Sequence, residues 1–142
     1  MDGFCVDLGV EEFPLGSGVL RFNPTDPNLY TRFLEMEPRL QQLREELLQQ
    51  TQQATDAVSV IKLLEQTDRQ FKDLLTQAFG KHNDFSSLLE GVNLLAVTQS
   101  GTTVAENLLA ALEPVLTRGA QRFVRMQTQA AVEKARQRRE NQ

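Results

Sequence analysis

The chain has 142 residues, 40% of them apolar and 24% charged, and a formal net charge of −4. This is the composition of one soluble globular domain, long enough to bury roughly two-thirds of its unfolded surface without staples. A single cysteine, Cys5, excludes an internal disulfide, and no run of about 18 apolar residues is present to span a membrane.

The first 23 residues read as a small antiparallel sheet of two or three strands. Phe4, Val6 and Leu8 alternate with Cys5 and Asp7, the period of a half-buried strand. Phe13-Pro14-Leu15 is a short apolar piece that Pro14 confines to an edge. Gly16-Ser17-Gly18 supplies a turn, and Val19 to Phe22 resumes as a strand. Such a sheet is marginal alone and must pack on a helix or on another subunit.

Residues 24–128 read as a helical domain. Pro24 ends the strand, Asp26 can cap a first helical turn, and Pro27 suits the first helical position, where no donor is needed. From about residue 27 to 50, Phe33, Met36, Leu40, Leu43 and Leu47 step in threes and fours as a heptad-like seam. The seam fades across Gln49 to Gln53 and resumes through Ala54, Ala57, Ile61, Leu64, Phe71, Leu75 and Ala78. Two arrangements fit. One is an antiparallel hairpin bending at residues 51–56 with Asp56 as a second cap. The other is one helix of about 50 residues, roughly 75 Å long. An unbroken phase favours the long helix; a glutamine tract that buries little tips the balance to the hairpin.

Gly80 is placed as a helix stop and Lys81 to Asn83 as a loop. Asp84 caps a short helix over Phe85 to Glu90, which Gly91 ends. Thr103 and Glu106 fit a capping box for a last helix carrying Val104, Leu108, Leu112, Val115 and Leu116. Pro114 lies inside it and is expected to kink it. Residues 129–142 keep good helix formers but almost no apolar face, which predicts a solvated, fraying basic end. The predicted class is therefore mainly α with a small N-terminal antiparallel β element, a helical hairpin or long helix, and a C-terminal kinked helix.

The ends carry opposite charge. Asp2, Asp7, Glu11, Glu12 and Asp26 stand against Arg21 alone, whereas Arg118, Arg122, Arg125, Lys134, Arg136, Arg138 and Arg139 stand against Glu133 and Glu140. Such ends can meet within a chain, meet between copies as salt-sensitive self-association, or bind separate partners.

The residues show no catalytic or metal constellation and imply no cofactor. One histidine and one cysteine cannot build a typical zinc site, and no acidic loop has calcium spacing. His82-Asn83-Asp84 near Ser86 and Ser87 reads as a polar turn and helix start rather than a triad. Cys5 reads as a small apolar filler on a strand. Neither Gly16-Ser17-Gly18 nor Gly80-Lys81 has phosphate-loop context. The basic end lacks interleaved aromatics beyond Phe123, which disfavours nucleic acid against an acidic protein surface. An enzyme is not expected. With no charged-then-apolar leader at the start of the sequence, the expected location is a reducing cytoplasm.

Three ordered stretches resemble tail assembly chaperones of siphophages and prophages of Gram-positive hosts. Phe22-Asn23-Pro24-Thr25-Asp26-Pro27 followed by Tyr30-Thr31-Arg32-Phe33 is similar to that family's strand-to-helix opening. Ala78-Phe79-Gly80 and Gly91-Val92-Asn93 resemble its helix end and Gly-x-Asn turn, although Leu89-Glu90-Gly91 stands where many members carry a second Phe-Gly. Glu106 to Val115, with its internal proline, is similar to the family's apolar helix before a basic end. The likeness spans residues 19 to 139.

The resemblance implies a non-catalytic protein of the host cytoplasm that coats the long helical tape measure protein and keeps it soluble during tail morphogenesis. The tape measure protein is the implied partner, with the tail tube protein as a second candidate. Phe22, Asn23, Pro24, Asp26 and Pro27 would organise the corner, and Phe79, Gly80, Gly91 and Asn93 the central turn. Arg136, Arg138 and Arg139 are the candidates for partner contact. The alternatives are a head–tail connector or tail terminator, which would carry more strand, and a small regulator binding nucleic acid through its basic C-terminal helix.

Overall fold

A computed structural model describes residues 3–141; Asp2 and Gln142, which figure in the sequence reading above, lie outside it. The chain is mainly α: 65% helical, with a two-stranded antiparallel sheet near its start. Strands β1 (Glu11–Leu15) and β2 (Gly18–Phe22) precede helices α1 (Pro27–Gln53), α2 (Ala57–Phe79), α3 (Phe85–Leu88) and α4 (Val104–Glu140).

Gly16 and Ser17 close the strand hairpin, with Gly16 at φ 59. A positive φ at the first central residue follows the right-handed strand twist and favours glycine there. A side chain at Gly16 would also run into the Leu88 carbonyl. In the register Glu11↔Phe22, Phe13↔Leu20 and Leu15↔Gly18, Phe13, Leu15, Leu20 and Phe22 share the core-facing side. Pro14 sits in β1 opposite Val19, on the parity whose N–H would point off the outer edge, so no ladder bond is lost.

Strand pairing does not extend to Phe4, Val6 and Leu8. Residues 3–10 have no regular structure, and these side chains are 100%, 68% and 70% exposed. Their alternation is that of a strand, but among the described residues no backbone pairs with it. Cys5 is correspondingly exposed rather than packed on a strand.

The helices start where short polar side chains can hold the first amides. Asp26 accepts from Asn28 N with Pro27 following, Asp56 from Ser59 N, Asp84 from Ser86 N and Thr103 from Glu106 N. The 27–79 stretch is a hairpin: α1 ends at Gln53, residues 54–56 turn, and α2 returns. Arg32 donates to the Ala78 carbonyl at 2.9 Å, fixing the open end of this antiparallel pair and satisfying a carbonyl that the end of α2 leaves without a partner. Pro38 lies exposed inside α1, and Pro114 lies inside α4, which continues beyond it to Glu140 as one helix.

The core joins Leu20 and Phe22 of the sheet to Phe33, Met36 and Leu40 of α1, and Phe71, Leu75 and Phe79 of α2. Phe85, Leu94, Leu108, Leu112 and Leu116 complete it. Each such side chain contributes roughly 1.5–3 kcal/mol by leaving water. Phe79 is the hub, edge-on to Phe22 at 5.2 Å and close to Phe33 and Phe85. Beneath the 92–96 connector, Asp68 and Lys72 form a buried ion pair at 2.9 Å. Asp68 also accepts from Leu94 N, and Lys72 donates to the Val92 carbonyl, so both charges are satisfied.

Candidate protein-binding surfaces

The corner residues converge at the end of the sheet. Asn23 Oδ1 accepts from Thr25 N and its hydroxyl, while Nδ2 donates to the Leu8 carbonyl. Pro24 is buried beneath α4 at Gly119, where a Cβ would run into the Pro24 carbonyl oxygen. Glycine alone lets the helix cross that corner so closely. The sequence reading missed this residue: one glycine inside a strong helical pattern does not show which backbone it must meet.

Around the central turn, Phe79 is buried and Gly80, at φ 106, ends α2. Gly91 adopts φ 75, and Asn93 accepts from Leu95 N and donates to the Leu64 carbonyl. These residues tie the connector to α2. Asn83 is the most deeply placed polar side chain here, 2% exposed. Its amide accepts from Arg21 N and donates to the Arg21 and Phe79 carbonyls at 2.8–2.9 Å. It thereby satisfies the outward-facing backbone of β2 at Arg21 as a neighbouring strand would. His82 Nε2 lies 3.1 Å from the Arg21 carbonyl, and Asp84 caps α3 while accepting from the Ser87 hydroxyl. Among the described residues, no group of three or more His, Cys, Asp or Glu side chains is placed to hold a metal.

Two parts of the molecule extend beyond the core. The first is the hairpin arm, residues 41–66, in which no residue is fully buried. Leu43, Leu47, Leu63 and Leu64 are half-buried between its helices, while Leu48, Val58 and Ile61 are about 60% exposed. The Ser59 hydroxyl and then its backbone N–H, at the arm's tip, lower the Asp56 carboxyl from its ordinary value. The second is the end of α4. After Gly119 only Ala120 and Phe123 are partly covered, and every residue from Val124 to Asn141 is exposed.

Arg136, Arg138 and Arg139 lie in the last turns of that helix, far along the chain from the corner and the turn. Arg136 makes a loose, exposed pair with Glu140 at 3.5 Å, and Arg138 and Arg139 suit the negative end of the helix dipole. Nearer the core, Arg118, Arg122 and Arg125 line a groove of about 300 Å³ with Glu11, Phe13 and Pro24. The ion pairs among the described residues are local, cross-strand or one helical turn apart, and none joins the acidic start to the basic end. No helix among the described residues is long and apolar enough to cross a membrane. No family model, no curated protein and no solved structure matches the chain.

Proposed function

We propose that this chain is a non-catalytic tail assembly chaperone that binds a tape measure protein in the host cytoplasm and keeps it soluble during tail morphogenesis. The observation that carries the reading is the division between a packed body and a long, unburied helical extension. The second half of α4 presents basic residues and Val124, Met126 and Val132 without any core of its own. A solvated basic helix with scattered apolar side chains can lay its long side-chain stems along apolar helical stripes, which aggregate when bare. The hairpin arm offers a second such surface through Leu48, Val58 and Ile61.

Arg136, Arg138 and Arg139 supply charge contacts to acidic positions flanking those stripes. The 65% helical content favours this reading over a head–tail connector, which would carry more strand. The test is co-expression with a tape measure protein, the proposed partner, followed by pull-down and a solubility assay. Several copies of this chain recovered with a soluble long protein is the expected result. A long protein that stays insoluble overturns the proposal.

A further inference from the structure

The two edges of the small sheet are treated differently. The β2 edge is held at Arg21 by Asn83, whereas among the described residues no hydrogen bond is made across the outer edge of β1, where Glu12 keeps both backbone groups and Pro14 its carbonyl. Against the Glu11–Phe13 face of β1 lies the groove that these two residues line with Val115, Arg118, Arg122 and Arg125. Immediately before β1 lies a segment with the residues of a strand and no strand to pair with, Phe4 to Leu8. An open edge and an apolar, extended segment are complementary parts of a strand addition.

Charge complementarity supports the match. The groove carries three arginines against Glu11, and no ion pair among the described residues involves any of the three. The start of the chain carries Asp2, which shares the parity of Phe4, Val6 and Leu8, and no basic residue precedes Arg21. The arginine stems can lie along Phe4 and Val6 while their heads reach carboxylates. Phe4 over a guanidinium adds a cation–π contact.

The segment is held away from its own groove. Asn23 Nδ2 grips the Leu8 carbonyl at 2.9 Å, and Asp7 accepts from Gly9 N at 2.8 Å. Both contacts anchor residues 7–9 at the Asn23 end of the sheet, and Phe4, Val6 and Leu8 remain exposed. Because donor segment and acceptor edge are neighbours in the chain, two copies can exchange segments about a two-fold axis, and such a pair closes.

We infer that residues 4–8 of one copy add along the open β1 edge of a second copy, with Phe4, Val6 and Leu8 over the Arg118–Arg122–Arg125 groove, in a reciprocal dimer. This goes beyond the chaperone reading and does not depend on it. It also places self-association at Arg118, Arg122 and Arg125 rather than at the end of α4.

The experiment is sedimentation of the full chain over a concentration series, with four variants. The wild type is expected to reach the dimer mass and no larger. F4S/V6S and R118E/R122E are each expected to weaken the dimer at least about tenfold. Their helical circular dichroism should stay unchanged, because the replaced side chains lie outside the buried core. In the third variant, Glu12→Cys, mild oxidation should join native Cys5 of one chain to the introduced thiol of the other, whereas Ser59→Cys should give no such cross-link. A monomer at every concentration, an open-ended series of larger species, a dimer indifferent to F4S/V6S, or a disulfide in Glu12→Cys formed only within one chain would each overturn the inference.

Discussion

The two halves of α4 have the same local preference for helix and opposite fates. From Val104 to Gly119 the helix buries Ala105, Leu108, Leu112, Leu116 and Gly119 against the body. From Ala120 to Glu140 nothing is fully buried. The first half is helical because packing demands it, and the second because its residues favour helix and the first half has already nucleated it. Stability therefore resides before Gly119, and the chain beyond it is available for contact with another molecule.

The largest effect should separate these halves. Leu116→Ala is expected to cost about 2–5 kcal/mol in urea unfolding, because it empties a site that is almost wholly enclosed. Val132→Ala should stay within about 0.5 kcal/mol. A similar cost for the two would erase the distinction.

Gly119→Ala sharpens the boundary. Helix propensity alone predicts a gain of about 1 kcal/mol. The clash with the Pro24 carbonyl predicts instead a net loss of about 1–3 kcal/mol, read as a lower thermal midpoint. Thr103→Ala, at the start of the packed half, should cost about 1 kcal/mol in the same assay through the lost bond to Glu106 N.

The smallest effect belongs to the hairpin arm. The folded-state pKa of Asp56 lies below its ordinary value. Its contribution is therefore present above the unfolded pKa and disappears as pH falls through the lowered folded value. Asp56→Asn keeps a cap and should remove that part of the acid dependence, measured by unfolding across about pH 2 to 6, a window set by the carboxylate range.

Much of the architecture was legible locally. The caps at Asp26, Asp56, Asp84 and Thr103 are where short polar side chains precede helical patterns, and the Gly16-Ser17 turn is visible in the sequence. The strand expected at Phe4 to Leu8 failed because alternation specifies a face and cannot supply a partner. Asn83 was read only as part of a loop, since the strand residue it satisfies lies 62 positions away. Asp68 and Lys72 are spaced like an ordinary surface pair on a helix, and only the 92–96 connector folding over them makes them interior.

The most direct test of the account is co-expression of the proposed tape measure partner with this chain truncated after Phe123. The account predicts a truncated chain that remains folded, with its unfolding midpoint intact, while the long protein becomes insoluble. A long protein that stays soluble beside the truncated chain would contradict the claim that the exposed half of α4 is what the partner binds.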